Sequence, residues 1–343
     1  MKAAIERRRL DIEPPFRTAG ASLDTRDLFL LALEDDAGNT GWGEAAPLEP
    51  YDGIGDRECL AALERQVEAL EACPPGAAGP QLLEAARQGS ELPQALAAVD
   101  MALWDLAGKR EGRPLVELLA DRRPAQVTVN AVIDAAEAPE SARQASAAAG
   151  AGFSCVKVKV GDDGDIERVA AVREAVGDRV AIRADANGAW TVPEAVTRIN
   201  AMAASGLELV EEPVHGVEQL RDLRGRVSVP IAADESLAEP GTLGADAVDA
   251  VCLKVARAGG ISPLLAQAGL ARAGGALVYL ASTLDGPLGI AAAVHCAAAL
   301  GVSMPCGLAT LDRFPGLDPG ALAPRDGAIA TPGGPGLGVE PPS

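Results

Sequence analysis

Five short apolar runs between residues 154 and 254 each end on charged side chains. The segments are Val156-Lys157-Val158-Lys159-Val160, Ile182-Arg183-Ala184-Asp185-Ala186-Asn187, Leu209-Val210-Glu211-Glu212-Pro213, Ile231-Ala232-Ala233-Asp234-Glu235 and Val251-Cys252-Leu253-Lys254. From Lys159 the steps to Asp185, Glu211, Asp234 and Lys254 are 26, 26, 23 and 20 residues, about the length of one strand–loop–helix–loop unit. In a parallel β/α barrel, side chains at the C-terminal strand ends converge on one mouth. The spacing therefore predicts a barrel with three carboxylates at its mouth and a lysine on either side of them.

The flanking pattern extends this reading. After Pro124, apolar runs at 127–133, 154–160, 180–184, 207–210, 229–233, 250–253, 277–281 and 304–308 alternate with helical stretches. The helices fall near 139–149, 163–176, 192–205, 216–225, 241–247, 261–273 and 286–300. Eight strands and seven helices predict a modified, TIM-like (β/α)7β α/β barrel over 124–312. Residues 1–50 differ, with strand-like runs at 2–10, 27–35 and 40–46, the last two joined by the turn-rich Asp35–Asn39. Helical patterns follow at about 55–73, 79–88 and 92–109, so residues 1–123 read as an α+β domain. From 313 to 343 the chain is rich in Gly and Pro and is expected to wrap back over that first domain.

Composition narrows the partners. Hydrophobic residues make up 48% and aromatics 3%, so the core must be aliphatic. Thirty basic against 49 acidic residues leave a formal charge of −19, which repels phosphate backbones and anionic lipid. No nucleic-acid or membrane partner is expected; a small-molecule carboxylate is, and a homo-oligomer stays open. The six cysteines form no Cys-x-x-Cys pair and read as buried free thiols. The N-terminus lacks an apolar signal region, which places the expected location in the cytoplasm.

Three carboxylates with open positions suit a hard, oxygen-seeking cation: Mg²⁺ is the expected cofactor and Mn²⁺ its substitute. The two histidines, His215 and His295, stand away from the strand ends, which argues against a histidine-rich zinc or iron site. A divalent cation can grip a substrate carboxylate and stabilise an enediolate, while lysines on opposite sides remove or return a proton. Lys157 and Lys159 share one strand face, so Lys157 repels a charge on Lys159 and favours its neutral, basic form. Taken singly, Asp-Ala-Asn and Glu-Glu-Pro read as loop caps and Lys-x-Lys as a solvated strand edge. Their joint occurrence on successive strand ends is what points to a site.

Lys-Val-Lys, Asp-Ala-Asn-Gly, Glu-Glu-Pro, Ala-Asp-Glu-Ser and Leu-Lys-x-x-Arg-x-Gly-Gly, in this order, resemble the enolase superfamily. The Lys-x-Lys form resembles its muconate-lactonizing-enzyme-like subgroup. Gly41–Pro47 and Asp100–Asp105 resemble that family's N-terminal capping domain, so the likeness spans nearly the whole chain. It implies Asp185, Glu211 and Asp234 as Mg²⁺ ligands and Lys159 and Lys254 as the acid/base pair. Lys157 becomes the tuning neighbour, with Asn187 and Glu235 as supporting groups.

Specificity is expected from capping loops near 14–22 and 47–54, with Phe16 and Tyr51 against an apolar portion of the substrate and Arg17 against an anion. Packing between domains is an equal alternative for Phe16. Ser282–Gly289, with Ser282, Leu284 and Asp285 facing substrate, resembles o-succinylbenzoate synthases of menaquinone biosynthesis, as do Cys306–Thr310 and Pro335–Val339. Dipeptide epimerases of the subgroup carry Asp-x-Asp on strand 8, where this chain has Leu308-Ala309-Thr310-Leu311-Asp312. Arg257, three residues after Lys254, resembles the branch that mixes o-succinylbenzoate synthesis with N-succinylamino-acid racemization. The expectation is a syn-dehydrating o-succinylbenzoate synthase. N-acylamino-acid racemization or dipeptide epimerization, and then muconate-type cycloisomerization, are the alternatives; a noncatalytic metal- or acid-binding barrel is the reading from another class.

Overall fold

The N-terminal region builds an antiparallel sheet in the order β1-β2-β3, formed by Lys2–Arg17, Ser22–Glu34 and Thr40–Ala45. The computed structural model describes residues 1–17, 22–121, 124–243 and 246–342, Arg17 by its backbone alone. β1 runs past the predicted residue 10 because a register shift between Asp11 and Phe16 lets pairing resume at Phe16–Leu23. The β2–β3 turn is closed by Asp35, whose Oδ1 accepts from the backbone N–H groups of Ala37 and Asn39, both at 2.9 Å.

Five helices follow: α1 (Glu49–Asp52), α2 (Asp56–Glu71), α3 (Gly79–Gly89), α4 (Pro93–Glu111) and α5 (Leu115–Leu119). α4 lies directly on β3. A Cβ at Gly43 would run into the Ala98 carbonyl and one at Gly41 into the Ala102 carbonyl, so these two glycines set the approach. The core here is aliphatic, with Phe29, Leu31, Leu33, Leu63 and Leu70 all buried.

Residues 126–299 form the strand–helix alternation. The strands are β4 (Gln126–Thr128), β5 (Ala131–Ile133), β6 (Cys155–Lys159), β7 (Ala181–Asp185), β8 (Leu207–Glu211), β9 (Ile231–Ala233), β10 (Ala250–Leu253) and β11 (Leu277–Leu280). Between them lie α6 (Ala138–Gly150), α7 (Asp165–Val176), α8 (Val192–Met202), α9 (Val217–Arg224), α10 (Val255–Ala258) and α11 (Ile261–Ala273), and after β11 comes α12 (Pro287–Ala299). β5 to β11 make one parallel sheet in sequence order. The predicted eighth strand is reduced to bridges: Gly307 pairs with Ala281 and Cys306 with Val129, closing the ring between β11 and the start of the barrel.

Two predicted elements differ. The run at 127–133 divides, because β4 turns aside to pair antiparallel with β12 (Ala328–Ala330) of the C-terminal segment, leaving β5 in the barrel. The helix expected at 241–247 is not formed at 241–243, which are turn, and residues 244 and 245 lie outside the described residues; Glu235–Ala238 makes a 3-10 turn instead.

Contacts between α4 and the rest fix the first domain over the barrel mouth. Asp100 accepts from the Ser262 backbone N–H at 2.9 Å and its hydroxyl at 2.7 Å, capping the first turn of α11 from outside. Asp105 accepts from Trp42 N–H at 2.8 Å and Leu337 N–H at 2.7 Å, tying β3 and the C-terminal segment together. Among the described residues no helix is long and apolar enough to cross a membrane.

Candidate active site

β6 shows why lysines end up at the mouth. Val156 and Val158 are buried outward toward the helices, and strand alternation turns Lys157 and Lys159 inward. Register does the rest: Lys159 pairs with Asp185 and Asp185 with Glu211, so the three strand ends lie side by side. Burying an amine is costly unless it is partnered, and here carboxylates supply the partners.

Lys157 Nζ lies 2.9 Å from Asp185 Oδ2 and 3.0 Å from Glu211 Oε1. Lys159 Nζ donates to the same Asp185 oxygen at 2.6 Å and to Asn187 Oδ1 at 2.8 Å. Two amines thus converge on one carboxylate oxygen. On the opposite side Lys254 Nζ meets Asp234 Oδ2 at 2.5 Å and the Tyr51 hydroxyl at 2.6 Å, and Tyr51 donates to Asp234 Oδ1 at 2.6 Å. Asn187 Nδ2 donates to Glu235 Oε1 at 2.9 Å, linking the two halves. Asn187 takes a left-handed backbone (φ 45°), which this residue type tolerates and which turns its side chain back to Lys159.

Electrostatics follow from burial and pairing. Burial would raise Asp185, but Lys157 and Lys159 outweigh it and hold the group below the usual carboxylate range. Burial raises Glu211, with Lys157 opposing. Burial together with Asp234 and Asp185 pushes Glu235 up to about 8. Burial disfavours charge on Lys157 and Lys254, yet Asp185 and Glu211 for the first, and Asp234 for the second, hold both above the ordinary lysine value. At Lys254 the pairing with Asp234 thus outweighs burial.

The three carboxylates come from adjacent strand ends and are held by hydrogen bonds, so the donor set has the all-oxygen chemistry of a hard divalent ion. Three buried donors that could hold a metal, those of Glu211, Asp234 and Cys252, lie within 4.8 Å of one another. A cavity of about 330 Å³ opens beside Asp185 and Asp234, bounded by Phe16, Leu23 and Tyr51 on the capping side and by Ser282, Leu284 and Thr310 on the barrel side. Phe16, Tyr51, Ser282 and Leu284 all line it.

Two expected substrate contacts are placed elsewhere. Asp285 is buried away from the cavity, accepting from Thr283 Oγ1 at 2.6 Å beside Arg26 and Glu44. Leu284 takes a left-handed turn (φ 57°) just before it. Arg257 stands behind Tyr51, donating to its hydroxyl at 3.0 Å, and does not line the cavity. The Arg17 side chain lies outside the described residues.

Other residues enter unannounced. Tyr279, on β11, donates to Glu211 Oε2 at 2.7 Å from beneath the site. A tyrosine inside an apolar barrel strand needs a partner for its hydroxyl, and that requirement was the available signal. His215, set aside as remote from a strand end, lines the cavity over Gly188, where any side chain would collide with its ring. Glu212 (φ 39°) turns outward of the site and accepts from the backbone N–H groups of Asp234 at 2.8 Å and Ser236 at 3.0 Å, fixing the β9 end.

Comparison with known proteins places this geometry. Residues 140–342 match the family described as "Enolase C-terminal domain-like", and residues 1–120 match "Mandelate racemase / muconate lactonizing enzyme, N-terminal domain". The L-Ala-D/L-Glu epimerase of Bacillus subtilis (strain 168) is 32% identical over 95% of this chain and 92% of its own. Its substrate-liganded structure superposes with a TM-score of 0.91, at 30% identity, over 100% of both chains. The o-succinylbenzoate synthase of Thermobifida fusca is 42% identical, over 54% of this chain and 60% of its own. The dipeptide epimerase of Enterococcus faecalis V583, solved with Mg and the dipeptide L-Leu-L-Tyr, gives a TM-score of 0.87 at 27% identity over 98% of both chains.

Proposed function

This chain belongs to the enolase superfamily, as an enzyme of its mandelate racemase/muconate lactonizing enzyme group, and we propose that it acts as an o-succinylbenzoate synthase. The reaction is removal of the proton α to a substrate carboxylate, followed by syn loss of water. One observation carries the choice. The Gly307–Thr310 wall of the cavity offers no carboxylate, so among the described lining residues nothing on that side pairs an α-ammonium group. Mg²⁺, with Mn²⁺ as its substitute, fits Asp185, Glu211 and Asp234, and when bound it supplies a Lewis acid that positions the substrate carboxylate and stabilises enediolate charge.

The chain's own groups divide the remaining work. Lys159, its side chain 15% exposed into the cavity, takes the α-proton. Protonated, it returns that proton to the departing hydroxyl on the same face, so the substrate loses one water. Lys254, kept cationic by Asp234, stands opposite and stabilises the developing negative charge. Phe16, Leu23 and Leu284 exclude water and accept the apolar part of a small-molecule carboxylate. Steady-state dehydration by the purified Mg²⁺-supplemented protein is the test, and absence of turnover above background would sink the assignment.

A second reading draws on Arg257, whose guanidinium reaches Lys254 through the Tyr51 hydroxyl, at 3.0 Å and 2.6 Å. In that reading Arg257 fixes the Tyr51 hydroxyl beside Lys254, and Lys254 too serves as a base in a 1,1-proton transfer on an N-acylamino acid or a dipeptide. The full-length similarity to an L-Ala-D/L-Glu epimerase supports it. Solvent deuterium entering the α-carbon of either enantiomer of an N-acylamino acid distinguishes this reaction from dehydration.

A further inference from the structure

Below the barrel mouth, donors of two chemistries converge. Glu211 and Asp234 each offer a carboxylate oxygen and Cys252 its sulfur, all within 4.8 Å of one another. They come from neighbouring elements: the last residue of β8, the residue after β9 and the third residue of β10. Their exposures are 0%, 3% and 1%. Cys252 precedes Lys254 by two residues, so strand alternation turns both side chains to the barrel interior. The thiols of Cys73, Cys155 and Cys306 reach backbone carbonyls. That of Cys252 makes no hydrogen bond among the described residues and faces the two carboxylates.

Enediolate chemistry with a hard cation has no use for this sulfur. We propose that Glu211, Asp234 and Cys252 form a second, softer metal site that takes a thiophilic divalent ion, Zn²⁺ or Cd²⁺, in competition with Mg²⁺. The inference rests on the reading of Glu211 and Asp234 as divalent-ion ligands. With Zn–S near 2.3 Å and Zn–O about 2.0–2.2 Å, donors around one tetrahedral ion stand roughly 3.5 Å apart. The donors, within 4.8 Å of one another, draw closer around the ion to reach that spacing. Binding replaces the sulfur–hydrogen bond of Cys252 with a metal–sulfur bond and releases one proton to solvent. The ion brings two positive charges and one proton leaves, so the site gains one positive charge beside Lys157, 3.0 Å from Glu211, and Lys254, 2.5 Å from Asp234.

The two donor sets share Glu211 and Asp234, so one ion excludes the other: Asp185 completes the hard set and Cys252 the soft one. Nitrogen, oxygen and sulfur sites bind late divalent ions more tightly than early ones, and thiolate sharpens the preference. Trace Zn²⁺ therefore displaces Mg²⁺ and silences the enzyme.

The test uses the full chain, stripped of metal and titrated with Cd²⁺. One equivalent should produce a sulfur-to-cadmium charge-transfer absorption and release one proton, and excess Mg²⁺ should suppress both. Cys252→Ala, with Cys252→Val as the better-packed second variant, should abolish the absorption and weaken Cd²⁺ by roughly 100-fold, leaving Mg²⁺ affinity within about twofold of the parent. Cys73→Ala should change nothing. An absorption that survives in both Cys252 variants, or that Mg²⁺ does not suppress, overturns the proposal. Mg²⁺ binding without any cadmium–sulfur absorption also overturns it while sparing the functional reading. Binding of neither ion defeats both.

Discussion

The Tyr279 hydroxyl donates to Glu211 Oε2 at 2.7 Å, reaching a β8 carboxylate from β11, three strands further round the ring. Lys157 occupies the other oxygen at 3.0 Å, so each oxygen of Glu211 has one donor and one lone pair left for an ion. Tyr279 is itself held: the Arg183 guanidinium lies 4.7 Å from its ring centroid. Arg183 in turn meets Glu208 at 2.5 Å and the Pro305 carbonyl at 2.7 Å. A line of contacts from the foot of the barrel thus sets the angle of a carboxylate at its mouth.

Tyr279→Phe removes the phenol while keeping the ring under Arg183. Glu211 Oε2 is then buried without a partner, and its orientation is no longer fixed. Partners that orient metal ligands contribute 10–100-fold to affinity, so Mg²⁺ binding measured by calorimetry should weaken by about 10-fold or more, with an unchanged far-ultraviolet circular dichroism spectrum. Parent-like Mg²⁺ affinity would show that the hydrogen bond has no orienting role.

The two lysines are separable by charge. Lys159→Ala should lower turnover by about 10²–10⁴-fold while Mg²⁺ still binds, as expected for loss of a general base. Unchanged turnover refutes the base assignment. Lys254→Arg preserves the cation but removes a usable base. In a one-base dehydration it should retain a measurable fraction of activity, whereas in a two-base transfer proton exchange from one enantiomer should disappear.

Much of this arrangement was legible because it depends on local rules. Strand alternation turns Lys157 and Lys159 inward, and a β/α repeat brings Asp185, Glu211 and Asp234 to one end whatever the details of packing. What was hidden depends on relations between distant segments. Nothing near residue 51 announces that its hydroxyl will sit between Lys254 and Asp234, and nothing near 279 names Glu211. Asp285 read as a cavity residue until the turn at Leu284 carried it to Arg26 and Glu44. The strand at 304–308 was legible as apolar sequence, but it makes only the bridges Cys306–Val129 and Gly307–Ala281, while β4 pairs with β12.

Glu44 gives the fold a pH dependence of known sign. It is buried at the domain boundary, accepting from Gly286 N–H at 2.7 Å, with Asp285 beside it and Arg26 opposing. Burial, then Asp285, pushes it up to about 8 from a reference value of 4.5. Between those values the folded chain keeps a proton that the unfolded chain releases, so its contribution is complete below about 4.5 and is lost as pH rises through about 8. The slope reaches at most about 1.4 kcal/mol per pH unit. Glu44→Gln should match the parent in melting temperature near pH 5 and exceed it at pH 8.5. Glu235, also raised, is present in both proteins and cancels in the comparison. Parallel melting curves across that range would mean Glu44 does not titrate there.

Thr310 tests the substrate class directly. It lines the strand-8 side of the cavity, with its hydroxyl 2.9 Å from that of Ser282, at a wall where no carboxylate is placed. Thr310→Asp puts a carboxylate where a substrate α-ammonium could pair with it. It also buries a charge at a position only 9% exposed, so some loss of stability is expected without such a ligand. If the missing carboxylate is what excludes free amino groups, the variant should gain α-proton exchange on dipeptides, by on the order of 10-fold for one new charge-assisted contact, and lose dehydration of an anionic substrate through repulsion. The readout is deuterium incorporation into a dipeptide set against dehydration rate, in the same preparation. Should the parent already exchange dipeptide α-protons as fast as the variant, the bare strand-8 wall is not the determinant, and the epimerase reading gains at the expense of the synthase.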